Sequence, residues 1–303
     1  MSNKLMEYYN VTSPSDVYEI CVVKTYNREN KVTDIVLNIN RCVTITQSHM
    51  SYKNMATLES VYKENGCNKS KDFLSKKGSV DMVHTCIAFF KKICEINGLI
   101  NSGFMLKDSS YKPEHDNISL FYSYMSLHGI TWYEKHFNAR LLASSKDIKS
   151  AYRTCQLKMI SKDYKRSMSL DDFIDNINVQ SLPVLVCEIY KSSPTFMDFF
   201  NNVLVDVFNN DLSKYSKFIK PWISKFISNY IFASAIEYGR PDTMYFIKNK
   251  HIKYLDKISW TQVHNVGSGG GRSKKNKKIE KILAEFYDNI KPKYDISIFS
   301  DLM

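Results

Sequence analysis

Apolar residues recur with period two near the start of this chain and with period three to four beyond its middle, and few folds accommodate both. In Val17 to Tyr26 and Val32 to Thr46, Val, Ile, Thr and Tyr are concentrated with partial alternation, and the turn-like Asn27-Arg28-Glu29-Asn30 separates the two runs. Side chains two apart share one face of a strand, so this pattern predicts a β-hairpin with one buried face. From Lys146 onward the spacing changes to three and four. Helices are expected over Lys146 to Ile160, Ser169 to Asn178, Pro194 to Phe208, Ser213 to Tyr238 and Thr243 to Lys250. Ser193 reads as the cap of the third of these, with Pro194 at its first position.

Between the two regimes the pattern is mixed. Tyr52 to Asn65 sets Met55, Leu58, Val61 and Tyr62 at helical spacing. Val80 to Ile96 aligns Val83, Ile87, Phe90, Ile93 and Cys94 in one stripe, which Gly98 closes, and Leu99 to Lys107 reads as a strand ending at Asp108-Ser109-Ser110. The sum is an α+β protein. An N-terminal mixed sheet with helices spans 1–142, a mainly α-helical region 143–266, a flexible Gly/Lys-rich basic loop 267–278, and a C-terminal helix and tail 279–303. A chain of 303 residues, 44% of them hydrophobic, can bury one large core or two moderate ones.

Several chemistries are argued against by spacing. The seven cysteines (Cys21, Cys42, Cys67, Cys86, Cys94, Cys155, Cys187) include no CxxC pair, which a zinc knuckle or thiol redox motif needs. They are expected to be reduced thiols, mostly in the core. No HExxH helix and no GxSxG elbow occurs, and His84 stands two residues from Cys86, on the wrong helical face for a thiolate–imidazole pair. The start, MSNKLMEYYNVTSPSD, lacks a basic-then-apolar leader pattern. Phe218 to Tyr238 is apolar on more than one face but carries Lys220, Lys225 and Asn229, so a buried helix is expected and no membrane span.

The net charge of +11 favours anionic partners. Much of the excess is local: Arg272, Lys274, Lys275, Lys277, Lys278 and Lys281 face only Glu280, directly after Gly267-Ser268-Gly269-Gly270-Gly271. This stretch is either a mobile arm that neutralises the phosphates of nucleic acid or another polyanion, or a solvated flexible linker. A Walker loop is excluded, because Gly271 precedes Arg272-Ser273-Lys274 rather than Lys and a hydroxyl residue. His264-Asn265-Val266-Gly267-Ser268-Gly269 has the spacing of an acetyl-CoA pyrophosphate loop, after an expected strand at Lys257 to Val263. The basic insert that follows takes the loop away from the helix N-terminus such a cradle uses.

The densest segment is Leu106 to Leu141. A helix over Ile118 to His128 gathers Leu120, Phe121, Tyr124, Met125 and His128 on one side, with Gly129 ending it at positive φ. Thr131 then caps a second short helix, and Glu134 three residues later completes a capping box. Trp132, Tyr133 and Phe137 anchor that turn in the core. His115, Asp116, His128, Glu134 and His136 could supply a general acid or base, but Glu134 and His136 are two apart and point about 200° from each other on a helix. Trp132, Tyr133, Glu134, His136 and Phe137 therefore stand as an interaction surface or a structural corner. No catalytic residue, metal ligand or cofactor is assigned.

The segment GITWYEKHFNA resembles a G-x-[ST]-WYE-x-x-F-x-A segment of uncharacterised proteins of nucleocytoplasmic large DNA viruses, the giant viruses, whose A/T-rich genomes fit the abundance of Lys, Asn, Ile, Tyr and Phe. The same region, with Tyr133 and Phe137 in a Tyr-x-x-x-Phe element, is similar to the C-terminal half of a GNAT-type N-acetyltransferase. His136 stands where that pattern has glycine, so the resemblance implies a degenerate acyltransferase-like scaffold. The resulting expectation is a non-catalytic viral accessory or virion-associated protein, in the host cytoplasm or virion, that binds a protein partner. The alternatives are a nucleic-acid-binding factor and an acetyltransferase with an altered cofactor loop.

Overall fold

The structure, a computed structural model, describes residues 3–39, 43–61, 76–107, 120–141, 146–226 and 244–266. Five strands open it: β1 (Asn3–Thr12), β2 (Val17–Tyr26), β3 (Val32–Ile39), β4 (Val43–Ser48) and β5 (Met55–Val61). The long helix α1 (Lys76–Ile96) leads to β6 (Gly103–Lys107), and α2 (Leu120–His128), α3 (Trp132–Phe137) and the short β7 (Arg140–Leu141) follow. A run of helices comes next: α4 (Lys146–Ile160), α5 (Lys162–Arg166), α6 (Leu170–Ile177), α7 (Val184–Ser192), α8 (Phe196–Asn202) and α9 (Leu212–Lys225). The chain then returns to the sheet as β8 (Met244–Lys248) and β9 (Ser259–Val266).

The mixed sheet has nine strands in the order β7-β8-β6-β5-β4-β3-β2-β1-β9, antiparallel except for β5 and β6, which α1 connects. The expected hairpin is β2 and β3. Its turn is built by Asn27, whose side-chain oxygen accepts from the backbone of Glu29 and Lys31, with Asn30 at φ 58°. Core-facing residues alternate as the pattern required: Tyr18, Ile20 and Val22 on β2, and Ile35, Leu37 and Ile39 on β3, are all buried.

The sheet curls around α1. Phe89 meets Trp260 of β9 at 5.6 Å between ring centroids, and its neighbour Phe90 meets Phe104 of β6 at 5.9 Å. Those two strands are six positions apart in the sheet, about 29 Å if it were flat at roughly 4.8 Å per strand. Only a sheet wrapped about the helix lets adjacent helix residues touch both. Met82, Val83, Cys86, Phe89, Phe90 and Cys94 are accordingly inaccessible to solvent, which explains why the helix is apolar well beyond a single stripe. A second core forms among α2 and the helices of residues 146–226 around Phe173, Phe196, Phe199, Phe200 and Phe226, and Leu141 packs against both cores.

Four sequence expectations are corrected. The run Val32 to Thr46 is two paired strands, with Ile39 opposite Val43; both halves are equally apolar, so no period break marks the reversal. Tyr52 to Val61 is a 3-10 turn and β5 rather than a helix, while Tyr62 to Asn65 lie outside the described residues. Strand β5 sits between β4 and β6, and burial of Met55, Ala56 and Leu58 on both of its faces erases the alternation. The stretch expected as a helix near Thr243 to Lys250 is β8 followed by a 3-10 turn at Asn249–His251. Ser193 ends α7 rather than starting α8, whose cap is Thr195 accepting from Asp198 N at 3.0 Å.

Candidate functional site

The short helix α3 is where the two cores meet, and its sequence folds it locally. Thr131 accepts at Oγ1 from the backbone of Glu134, and Glu134 Oε2 accepts in return from Thr131 N at 3.1 Å, the reciprocal capping box. Asn138 ends the helix in the left-handed region at φ 47°, its N–H donating back to Glu134 and Tyr133 carbonyls. The residue before the helix and the residue after it thus fix a six-residue unit that is too short to be stable by itself.

Three directions leave this unit. Tyr133 and Phe137 point into the sheet core, Tyr133 against Tyr245 of β8 at 5.1 Å and Phe137 against His84 of α1 at 4.5 Å between centroids. His84 is buried and donates from Nε2 to the backbone oxygen of His136 at 3.1 Å, satisfying one of the open carbonyls at the end of α3. Burial, aided by the nearby Lys253 cation, pushes His84 down to about 4, so its ring is neutral at physiological pH.

Glu134 points toward α4. Its Oε2 accepts from Thr131 Oγ1 at 3.2 Å, from Gln156 Nε2 at 3.4 Å and from the hydroxyl of Tyr152. Burial, and then the neighbouring Tyr245 and Glu134, hold the Tyr152 phenol far above its ordinary value, so it acts as a permanent donor. A carboxylate oxygen carrying the helix cap, a tyrosine and a glutamine is a structural anchor.

The third direction faces outward. Trp132 and His136 lie 5.2 Å apart between centroids, and His136 faces Tyr124 of α2 at 5.9 Å. Tyr124 also meets His128 at 5.1 Å with the rings tilted, and Lys135 Nζ lies 3.0 Å from His128 Nε2 and over the Tyr124 ring. Tyr124, His128, Trp132 and His136 are all half-buried, while Lys135 is exposed. They form a held aromatic and imidazole face, one edge in solvent.

The expected separation of Glu134 from His136 is observed: one serves the joint to α4, the other the outer face. The sequence also named Trp132, Tyr133 and Phe137, and the structure brings all three together around α3. It missed Tyr152 and Gln156, whose i, i+4 spacing on α4 was the available signal, and Tyr245, for which there was none. His115, Asp116 and the basic residues Arg272, Lys274, Lys275, Lys277, Lys278 and Lys281 lie outside the described residues. His264 to Val266, the start of the loop with acetyl-CoA spacing, are the last residues of β9 and pair with β1.

Four of the described thiols are held protonated by burial. Cys21 and Cys94 are pushed up to about 12 by burial, and Cys86 and Cys155 are pushed up as well. No set of three His, Cys, Asp or Glu side chains among the described residues is placed to hold a metal ion. Among those residues, no helix is long and apolar enough to cross a membrane. Compared with protein-family models, with curated proteins and with solved structures, the chain matches none.

Proposed function

We propose that this chain is a non-catalytic interaction protein that engages a protein partner through the outer face of α2 and α3, as an accessory or virion-associated protein of a large DNA virus acting in the host cytoplasm or virion. The observation that carries the proposal is the division of labour within α3. The ionisable groups on its inward side are consumed by the fold: its own Glu134 by four donors, and His84 of α1 by the carbonyl at the end of α3 and an aromatic ring. What remains at the surface is Tyr124, His128, Trp132, Lys135 and His136, a composition rich in the large aromatic side chains that dominate binding interfaces. Because tilted and edge-on ring contacts and hydrogen bonds already hold these rings, little side-chain entropy is lost on contact. The viral setting is supported by the GITWYEKHFNA resemblance and the A/T-coded composition.

The test is affinity purification of the tagged chain from infected host cells, with quantitative mass spectrometry, against the double variant His128→Ala/Lys135→Glu. Both positions lie on the outer face, so the variant is expected to keep its thermal midpoint and to lose its main co-purifying protein by at least about tenfold, the effect of removing one interface hot spot. An unchanged partner profile would exclude this face. Heat on titration with acetyl-CoA would replace the proposal with the acetyltransferase reading.

A further inference from the structure

We propose that β9 is a docking edge for a second copy of this chain, which adds its own β9 antiparallel so that the two sheets continue through a two-fold joint. The strand order ends at β9, and among the described residues β1 is the strand it pairs with. In an antiparallel ladder alternate residues turn their N–H and C=O groups away from the partner strand. The outer side of β9 therefore presents a row of backbone donors and acceptors. Among the described residues, no loop gives a backbone hydrogen bond to Ser259, Thr261 or Val263. All three side chains are exposed, Val263 by 42%.

The strand is nevertheless fixed in place. Trp260 lies opposite buried Val11 of β1 and packs on Phe89 of α1. Register with β1 is continuous from Ser259 to Gln262 and resumes from His264 to Val266, which leaves Val263 as a bulge. The stretch before the bulge is regular ladder. A second strand would thus add to an edge already held in extended form, with little further ordering to be done.

The two ends of the sheet differ in kind. At the far end β7 is two residues long and carries the exposed Arg140, the short and charged edge that resists pairing. β9 is eight residues long, SWTQVHNV, and contains no Lys, Arg, Asp, Glu or Pro, the residues that block an edge. This asymmetry selects the occupant. A sheet that joins through one edge closes as a two-fold dimer, whereas one with two receptive edges would propagate as a filament. Composition fits self-pairing as well, since no Lys, Arg, Asp or Glu of β9 is brought opposite its own kind. Direction follows from the basic tract Arg272 to Lys281, which comes after β9 in sequence. Parallel pairing would set the two Val266 ends, from which these tracts continue, side by side. Antiparallel pairing sets them about 25 Å apart at roughly 3.4 Å per residue, more than twice the Debye length of about 8–10 Å. The inference does not rest on the function proposed for α3.

The experiment is sedimentation equilibrium of the full chain across a concentration series, where a monomer–dimer equilibrium without larger species is expected. A continuous sheet keeps the side chains of one face together, so Thr261 comes opposite or diagonal to its counterpart. Thr261→Lys and Thr261→Glu are each expected to weaken the dimer by about tenfold or more when alone, and an equal mixture of the two is expected to restore it. Val184→Lys, exposed on α7, leaves it unchanged. Thermal melts of each variant check that folding is intact. Hydrogen exchange on the wild type needs no variant: protection of the β9 amides is expected to rise with protein concentration. The proposal is overturned if the wild type stays monomeric throughout, if it forms larger species, or if mixing the two Thr261 variants restores nothing. It is equally overturned if the β9 amides are protected to the same degree at every concentration, since the chain itself then covers the edge.

Discussion

Lys165 is a cation inside the helical core. It is 5% exposed, donates from Nζ to Tyr190 O at 3.1 Å, and lies 3.3 Å from the centroid of the Tyr190 ring. Burial pulls it down to about 8 from an ordinary value of 10.5. The unfolded chain therefore binds this proton more tightly than the folded one, and the ammonium opposes folding in full below pH 8. Replacement by an apolar side chain of similar length removes that burden. Lys165→Met is expected to be more stable than wild type at pH 7 by about 1–2 kcal/mol, as when other buried charges are replaced, and urea denaturation should show the gap narrowing as pH rises from 8 to 10.5. His84 works in the opposite pH range. Its folded value of about 4 lies below the unfolded 6.5, so stability is lost as pH falls through that window, by roughly 3 kcal/mol at the acid end if His84 acts alone. His84→Leu should flatten that dependence in thermal melts between pH 7 and 4. Local chemistry of this kind was partly legible: Thr131 and Glu134 announce their capping box by spacing alone. His84, Tyr152 and Lys165 were not, because their partners are 52, 18 and 25 positions away.

At the scale of elements, the sequence was read well wherever one period dominated. Helix α4 has the expected bounds, α6 lies between the expected ends Ser169 and Asn178, and α1 ends as anticipated with Gly98 in the left-handed region. It was read poorly where an element is buried on every side or too short to show a period, as at β5 and β8. Strand β8 also depends on one glycine. A Cβ at Gly103, where φ is 152°, would stand 2.4 Å from the Phe246 ring and 2.6 Å from Ile247 O, both on β8. Gly103→Ala is therefore expected to cost about 2 kcal/mol or more through overpacking against backbone, and hydrogen exchange should show the loss concentrated in β6 and β8. Thr131→Ala should cost about 1 kcal/mol, the usual value of an N-cap. Because Thr131 also donates to Glu134, that variant should loosen the contact of α3 with α4 as well as the helix itself.

For the molecule as a whole, the α+β class and the sheet-then-helix order follow from the shift in apolar period. The wrapping of the sheet around α1 does not, since the sheet is completed by β8 and β9, which arrive after all the described α-helices. Pairings between residues as distant as Tyr9 and Gln262 leave no local trace in composition or spacing. The helix α3 holds this arrangement together, joining the sheet through Tyr133 and Phe137 and the helices through Glu134. On the function proposed above, the face it turns to solvent is where a protein partner docks. Under the proposed viral setting, replacing Lys135 with a photo-reactive amino acid in infected host cells tests that proposal most directly. One dominant protein adduct is expected, absent when the same probe replaces the exposed Arg166 and lost in the background of His128→Ala/His136→Ala. No adduct at position 135 above that at 166, in a protein with its wild-type melting temperature, would contradict the account.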